Sequence, residues 1–203
     1  LPEVRRLMFE GRNNEAADLA GRDMLGIPPR INSYQSLGEL HLSFPEAASV
    51  DEYRRELDLD TAISTVSYTV DGVKHRRDTF SSAPDQVMIT YLTADKPGCV
   101  NVELTMTRER DAECVSEGSN GLLLRGQIQR KHDTTGEIVG LHFRAQLAAL
   151  PKGGTMTNEK GRIKVVGADE VVLLLSAATN YRGRDPEAFC RQCINAAAPK
   201  GID

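Results

Sequence analysis

The chain has 203 residues, of which 40% are apolar and 27% charged, and it carries a net charge of −4. That length suits one large β domain or two small ones and can bury a sizeable core. The mildly acidic balance gives no general affinity for nucleic acid or for acidic membranes. No apolar run approaches a bilayer-spanning length and no secretory h-region opens the chain.

Helical periodicity appears first. Pro2 suits a first-turn position, Val4, Leu7 and Met8 form a stripe at helical spacing, and Gly11 ends a helix over 2–10. Asn13 or Asn14 is placed to cap a second helix with Ala16, Ala17, Leu19, Ala20 and Met24 on its packing face. Gly26 and Pro28-Pro29 then impose an extended loop.

From there the period changes to two. Leu40, Leu42 and Phe44 alternate with Glu39, His41 and Ser43 until Pro45. In Tyr53–Ala62, Leu57 and Leu59 point one way and Glu56, Asp58 and Asp60 the other, which predicts a strand covering a core with one face and showing acids to water with the other. Residues 62–70 and 73–80 meet across Asp71-Gly72, a two-residue hairpin turn. Val87–Leu92 and Val100–Met106 are expected to pair across Asp95-Lys96-Pro97-Gly98. Further strands are expected at 122–124, 141–147, 162–166 and 171–177, bounded by Gly-rich turns. Asp185 caps a last helix with Pro186 at its first position and Phe189, Cys190, Cys193, Ile194 and Ala197 as its buried stripe. Ten or so short strands without intervening helices imply a mostly β fold, an antiparallel β super-sandwich with short flanking α-helices at both ends.

Few constellations carry chemistry. Glu56, Asp58 and Asp60 fall about 6–7 Å apart along a strand. That spacing could serve a glycosidase or a hard cation, but an acidic solvated face balanced by Arg54, Arg55 and Arg77 is the simpler reading. Cys190-Arg-Gln-Cys193 has redox spacing, yet it falls inside a helix with no second ligand pair, so small apolar filler is expected. Whether Cys99 and Cys114 pair is left open by the sequence. His41, His75, His132 and His142 are scattered, and no metal, cofactor or nucleotide site is expected. Tyr34-Gln35 keeps a functional reading, because an aromatic ring beside a carboxamide can pack a sugar face and bond its hydroxyls. The alternative is that Tyr34 anchors its loop and Gln35 bonds to backbone.

Several segments together resemble one family. They are Leu1-Pro-Glu-Val-Arg-Arg-Leu-Met-Phe-Glu-Gly11, Glu15-Ala-Ala-Asp-Leu-Ala20, Tyr53–Ala62, Ser81-Ser-Ala-Pro-Asp-Gln-Val87, Leu92-Thr-Ala-Asp-Lys-Pro-Gly98 and Gly183-Arg-Asp-Pro-Glu-Ala188. Ser33-Tyr-Gln-Ser-Leu-Gly-Glu-Leu40 is similar to a Tyr-Gln-Pro-Leu-Gly-Asp-Leu motif, with Ser36 and Glu39 in place of Pro and Asp. In order and spacing they resemble the N-terminal β domain of glycoside hydrolase family 95, the α-L-fucosidases.

The resemblance implies that residues 1–203 are a single N-terminal β-sandwich domain truncated at both ends. The catalytic helical-barrel domain would be absent from this span and would be its partner in the intact protein. The catalytic carboxylates would lie in that barrel, so the resemblance implies no catalytic residue here, and the segment alone would be inactive. The parent would hydrolyse terminal α-L-fucosides of oligosaccharides with inversion, and a secreted or periplasmic location would suit it. Tyr34 and Gln35 become substrate-proximal candidates. The alternative is a stand-alone carbohydrate-binding module, against which the absence of Trp and the small set of five Tyr and five Phe weigh.

Overall fold

A computed structural model describes residues 1–26, 33–132 and 135–201. The chain divides into two compact units, Leu1–Ser36 and Leu37–Asp203. The Pro28-Pro29 loop expected from sequence lies outside the described residues.

The first unit is a pair of helices, α1 (Pro2–Phe9) and α2 (Asn13–Asp23). Pro2 sits in the first turn of α1 as expected, and Val4, Leu7 and Ala16 are buried against each other with Leu19 and Ala20 beside them. Two details of the expected stripes differ. Met8, Ala17 and Met24 are exposed, because the buried contact is confined to Val4, Leu7 and Ala16 with Leu19 and Ala20 beside them. Asn13 and Asn14 do not cap α2, whose N-cap is Arg12 without a side-chain cap bond. Arg12 instead joins Glu10 and Glu15, and Arg6 joins Glu3 and Glu10, in an exposed ion-pair network of modest energetic value.

The second unit is a β sandwich. Its strands are β1 (Glu39–Ser43), β2 (Asp51–Asp58), β3 (Ile63–Val70), β4 (Val73–Ser82), β5 (Val87–Ala94) and β6 (Val100–Thr107), then β7 (Ala112–Glu117), β8 (Gly121–Gln127), β9 (His142–Lys152), β10 (Thr155–Glu159), β11 (Arg162–Ala168) and β12 (Glu170–Thr179). They form a four-stranded sheet in the order β1-β6-β11-β10 and an eight-stranded sheet in the order β2-β3-β4-β5-β12-β9-β8-β7, with every recorded strand pair antiparallel. The antiparallel sandwich with terminal helices is thus as the sequence implied, although β7 and β10 escape the hydrophobic pattern because they are short and half exposed.

Two expectations about strands are corrected. β5 and β6 do not pair with each other: β5 lies between β4 and β12 in the large sheet, and β6 lies between β1 and β11 in the small one. The connection between them is a crossover held at both ends, since the Asp95 amide bonds the Lys74 carbonyl at 3.0 Å and the Gly98 amide donates to Asp169 at 2.8 Å. The second correction concerns β2. Leu57 and Leu59 cover no core; they are 60% and 84% exposed, and Leu59 lies beyond the strand end. The alternation is right, for Leu57 lies opposite Ser64 and Arg55 opposite Val66, on the inward face. β2 is an edge of the wide sheet, however, and the narrow sheet does not reach across to it.

The core lies where the sheets overlap. Leu104, Leu122, Leu147 and Ile163 are fully buried, with Leu173 and Val165 beside them. On the outer face of the wide sheet, α3 (Pro186–Ala197) packs Cys193, Ile194 and Ala197 against Val87, Ile89, Ala148 and Leu174. Its start is as the sequence predicts: the Asp185 carboxylate accepts from the Glu187 and Ala188 amides at 2.9 and 3.3 Å, a cap worth about 0.5–2 kcal/mol.

The contrast between overlap and overhang is measurable. Leu147→Ala should lower unfolding free energy by about 2–5 kcal/mol, the cost of a core cavity. Leu57→Ala should change it by less than about 0.5 kcal/mol, as for an exposed surface site. Chemical denaturation of the two variants provides the check.

Candidate ligand cleft

The hairpin β3–β4 builds the most distinctive feature of the second unit. Its turn needs two consecutive residues in the left-handed region, and Asp71 and Gly72 supply them with φ of 51° and 70°. The register this turn sets places Val70 opposite Val73, Tyr68 opposite His75 and Val66 opposite Arg77. Those six side chains share the inward face. Arg77 lies in turn opposite Leu92 of β5, which belongs to the core between the sheets.

Because the small sheet ends at β1, this face is roofed only in part, by Leu42 of β1 and by Phe44 and Val50 of the segment leading to β2. A cleft of about 920 Å³ remains, within the range of small-ligand sites. Its wall is aromatic. The Tyr68 and His75 rings stack with centroids 5.2 Å apart and planes 19° from parallel, and the Arg77 guanidinium lies 6.0 Å from the Phe44 ring centre. Tyr53 reaches the same cleft from β2, next to a bulge where Glu52 has a φ of 51°.

Burial sets the electrostatics. It pushes the Tyr68 phenol above its ordinary value despite the opposing pull of the Arg77 charge, and it lowers His75 below its ordinary value despite Asp95. Arg77 itself is half-buried and makes no ion pair with any carboxylate among the described residues. Its neighbour Arg76, on the outward face, is paired at 2.8 Å with Asp78, which also accepts from the Thr65 hydroxyl at 2.6 Å. One face of β4 thus balances its arginine and the other does not.

The residues singled out from sequence are distributed otherwise. Tyr34 and Gln35 lie in the first unit, in an irregular segment, and both are exposed. Glu56, Asp58 and Asp60 do not converge. Glu56 pairs with Arg54 along β2, while Asp58 accepts from the Asp60 and Thr61 amides at 2.9 and 3.2 Å and holds the turn after the strand. Those backbone bonds lower the Asp58 carboxyl below its ordinary value. Among the described residues no group of three or more His, Cys, Asp and Glu is placed to hold a metal ion.

All four cysteines are free. Cys190 is fully buried on the inner face of α3, and burial raises its thiol to about 11, which suits packing and not redox exchange. Arg77, Tyr68 and His75 were not singled out as a site from sequence, although a signal existed. Period-two alternation from the Asp71-Gly72 turn puts Arg77 on the face of Val73 and His75, away from the acids it was expected to balance.

The family model for the glycosyl hydrolase family 65 N-terminal domain matches residues 1–184. The chain belongs to that family. This family 65 N-terminal domain is 34% identical to "Alpha-L-fucosidase 2" of Arabidopsis thaliana over 202 residues, covering 90% of the chain and 24% of that protein. It is 30% identical to "Probable alpha-fucosidase A" of Aspergillus niger, covering 89% of the chain and 22% of that protein. The domain therefore spans about a quarter of the length of these curated relatives. Among solved structures, a putative kojibiose phosphorylase from human microbiome matches 75% of the chain and 22% of its own, with a TM-score of 0.41 and 11% identity. The N-terminal β domain of a fucosidase-like glycoside hydrolase, expected from the motifs, is borne out by the family match and the fucosidase relatives.

Burial of His75 gives the cleft a pH signature. A histidine lowered in the folded state binds its proton less readily there than in the unfolded chain, so stability is lost as pH falls from about 6.5, the unfolded value, through the lower folded one. The melting temperature should therefore drop between about pH 7.5 and about pH 5.5, and His75→Gln should flatten that slope. Equal slopes in the two proteins would mean that His75 is as well hydrated folded as unfolded.

Proposed function

We propose that this chain is the non-catalytic N-terminal domain of an α-L-fucosidase-like glycoside hydrolase. It supports a catalytic helical barrel that lies outside residues 1–203, and it lines part of the sugar pocket through Tyr34 and Gln35. The parent hydrolyses terminal α-L-fucosides of oligosaccharides with inversion. The observation that carries this reading is the pairing of two facts: the chain matches α-fucosidases over about nine-tenths of its own length, and it spans only about a quarter of theirs.

The chemistry of the described residues supports a non-catalytic part. Glycoside hydrolysis uses two carboxyl groups flanking one bond, and the acids of β2 are instead committed to Arg54 and to a turn. Tyr34 is fully exposed, so its ring is available to pack on a sugar face.

The isolated chain should not hydrolyse an aryl α-L-fucoside above background. Turnover that follows the purified chain and disappears in Glu56→Gln would overturn the non-catalytic reading. In a longer protein that carries this domain with a barrel, Gln35→Ala should remove a neutral hydrogen bond to substrate worth about 0.5–1.5 kcal/mol. That loss lowers kcat/KM by about threefold to tenfold with little change in melting temperature. Unaltered kinetics with lost stability would assign Tyr34-Gln35 to loop packing.

A further inference from the structure

On the outer face of the wide sheet, α3 is seated on two kinds of surface. Ile194 and Ala197 cluster with the apolar Val87, Ile89 and Leu174 of β5 and β12. Toward β9 and β7 the seat is polar. Gln146 and Arg144 share the face of Ala148, which belongs to the same cluster as the α3 side chains. Glu117 of β7 joins them across Gly121, which lies opposite both Glu117 and Ala148 and carries no side chain. From α3, Arg191 bonds Glu117 at 3.4 Å and Glu187 at 2.9 Å. The fully buried Cys190 thiol lies within reach of the Arg144 and Glu117 charges, which gathers both side chains around one point on the inner side of the helix.

Three buried polar atoms of this seat have no hydrogen-bond partner: Gln146 Oε1, Glu117 Oε2 and Arg144 Nε. Among the described residues only one other side-chain atom is in that position, Asn158 Oδ1 on β10. For Gln146, which is 8% exposed, the reason is local. Its neighbours on the flanking strands are Leu123, which has no side-chain donor, and Ser176, whose hydroxyl donates to the Gln86 carbonyl at 3.0 Å. Arg144 Nε lies 3.7 Å from Glu187 Oε2, an ion pair too long for a hydrogen bond. Arg191 takes the other Glu117 oxygen, Oε1. Native proteins seldom leave such atoms unpaired, because each loses its hydration without a replacement.

We propose that this polar seat holds ordered water, which donates to Gln146 Oε1 and Glu117 Oε2 and accepts from the Arg144 Nε–H. Two acceptors and one donor are the complement of a water molecule, and internal waters typically make about three hydrogen bonds to groups the protein leaves unpaired. The charges select water over an ion. Glu117 and Glu187 are matched by Arg144 and Arg191, so a bound ion would add an unbalanced charge to a buried place. Water completes the polar half of the α3 seat and fastens the helix to the β7–β9 flank, as Ile194 and Ala197 fasten it to β5 and β12.

Relaxation dispersion of solvent deuterons and oxygen-17, which counts waters held for longer than the protein takes to tumble, tests this in the intact chain. The wild type should hold at least one more such water than Gln146→Leu, which removes the acceptor and keeps a side chain of similar size. In the wild type, NOEs of slowly exchanging water should reach the Gln146 side-chain amide and the Arg144 Nε–H. They should persist in Ser176→Ala and in Cys190→Ala, which remove the nearby protons able to relay them. Equal water counts in wild type and Gln146→Leu would overturn the assignment, and so would absence of the wild-type NOEs or their loss in either relay variant. If Gln146→Leu fails to fold, the NOEs decide alone. A crystal structure in which Arg144 Nε bonds a carboxylate directly and Gln146 Oε1 meets a protein donor would show the side chains satisfying one another, and would also overturn it.

Discussion

The apposition of two sheets of unequal width governs the rest of the second unit. Four strands lie against eight, so only the middle and one flank of the wide sheet can bury their inward side chains. Where the sheets overlap, Leu104 and Ile163 of the narrow one meet Leu147 and Leu173 of the wide one with no exposed surface left. Where they do not, the same inward alternation continues through β4, β3 and β2 with less cover above it. Leu92 of β5 and Val66 of β3 are buried, Arg77 between them is half-buried, and Leu57 of β2 is open to water. The hydrophobic effect scales with apolar area removed from water, and the edge strand β2, exposed along its whole length, gains least from it.

That difference in cover distinguishes two regions of the second unit. The overlapped region is reinforced on its outer face by α3 and its buried Cys190, Cys193 and Ile194. The overhang offers a partly roofed aromatic wall with an uncompensated cation in it.

Much of this was legible in the sequence. The Asp71-Gly72 hairpin could be read because left-handed backbone at two consecutive positions has few solutions. The Asp185-Pro186 start of α3 could be read because capping is a local matter of one side chain and two amides. The antiparallel sandwich followed from strand punctuation alone. The partners of β5 and β6 were not legible, since a four-residue Asp-Lys-Pro-Gly link serves a hairpin or a crossover equally well, and the choice is made by distant anchors at Lys74 and Asp169. Leu57 and Leu59 misled for a related reason. Alternation identifies which side chains share a face, but not whether anything lies opposite that face. Of the arginines expected to balance the β2 acids, Arg54 pairs with Glu56, whereas the register carries Arg55 and Arg77 to the opposite face, because register and not nearness in sequence decides which side chains meet. Tyr34-Gln35, marked by motif, lies in an irregular exposed segment whose role depends on what it meets in a longer protein.

Amide hydrogen exchange tests the uneven cover most directly. If the sheets overlap as described, amides of β9 and β12, bonded on both sides in the centre of the wide sheet, should exchange only through global unfolding, and those of β2 should exchange orders of magnitude faster through local opening. β3 should fall between them. Protection of β2 equal to that of β9 and β12 would mean that its inward face is covered, and the account of a half-roofed sheet, with the cleft it creates, would fail.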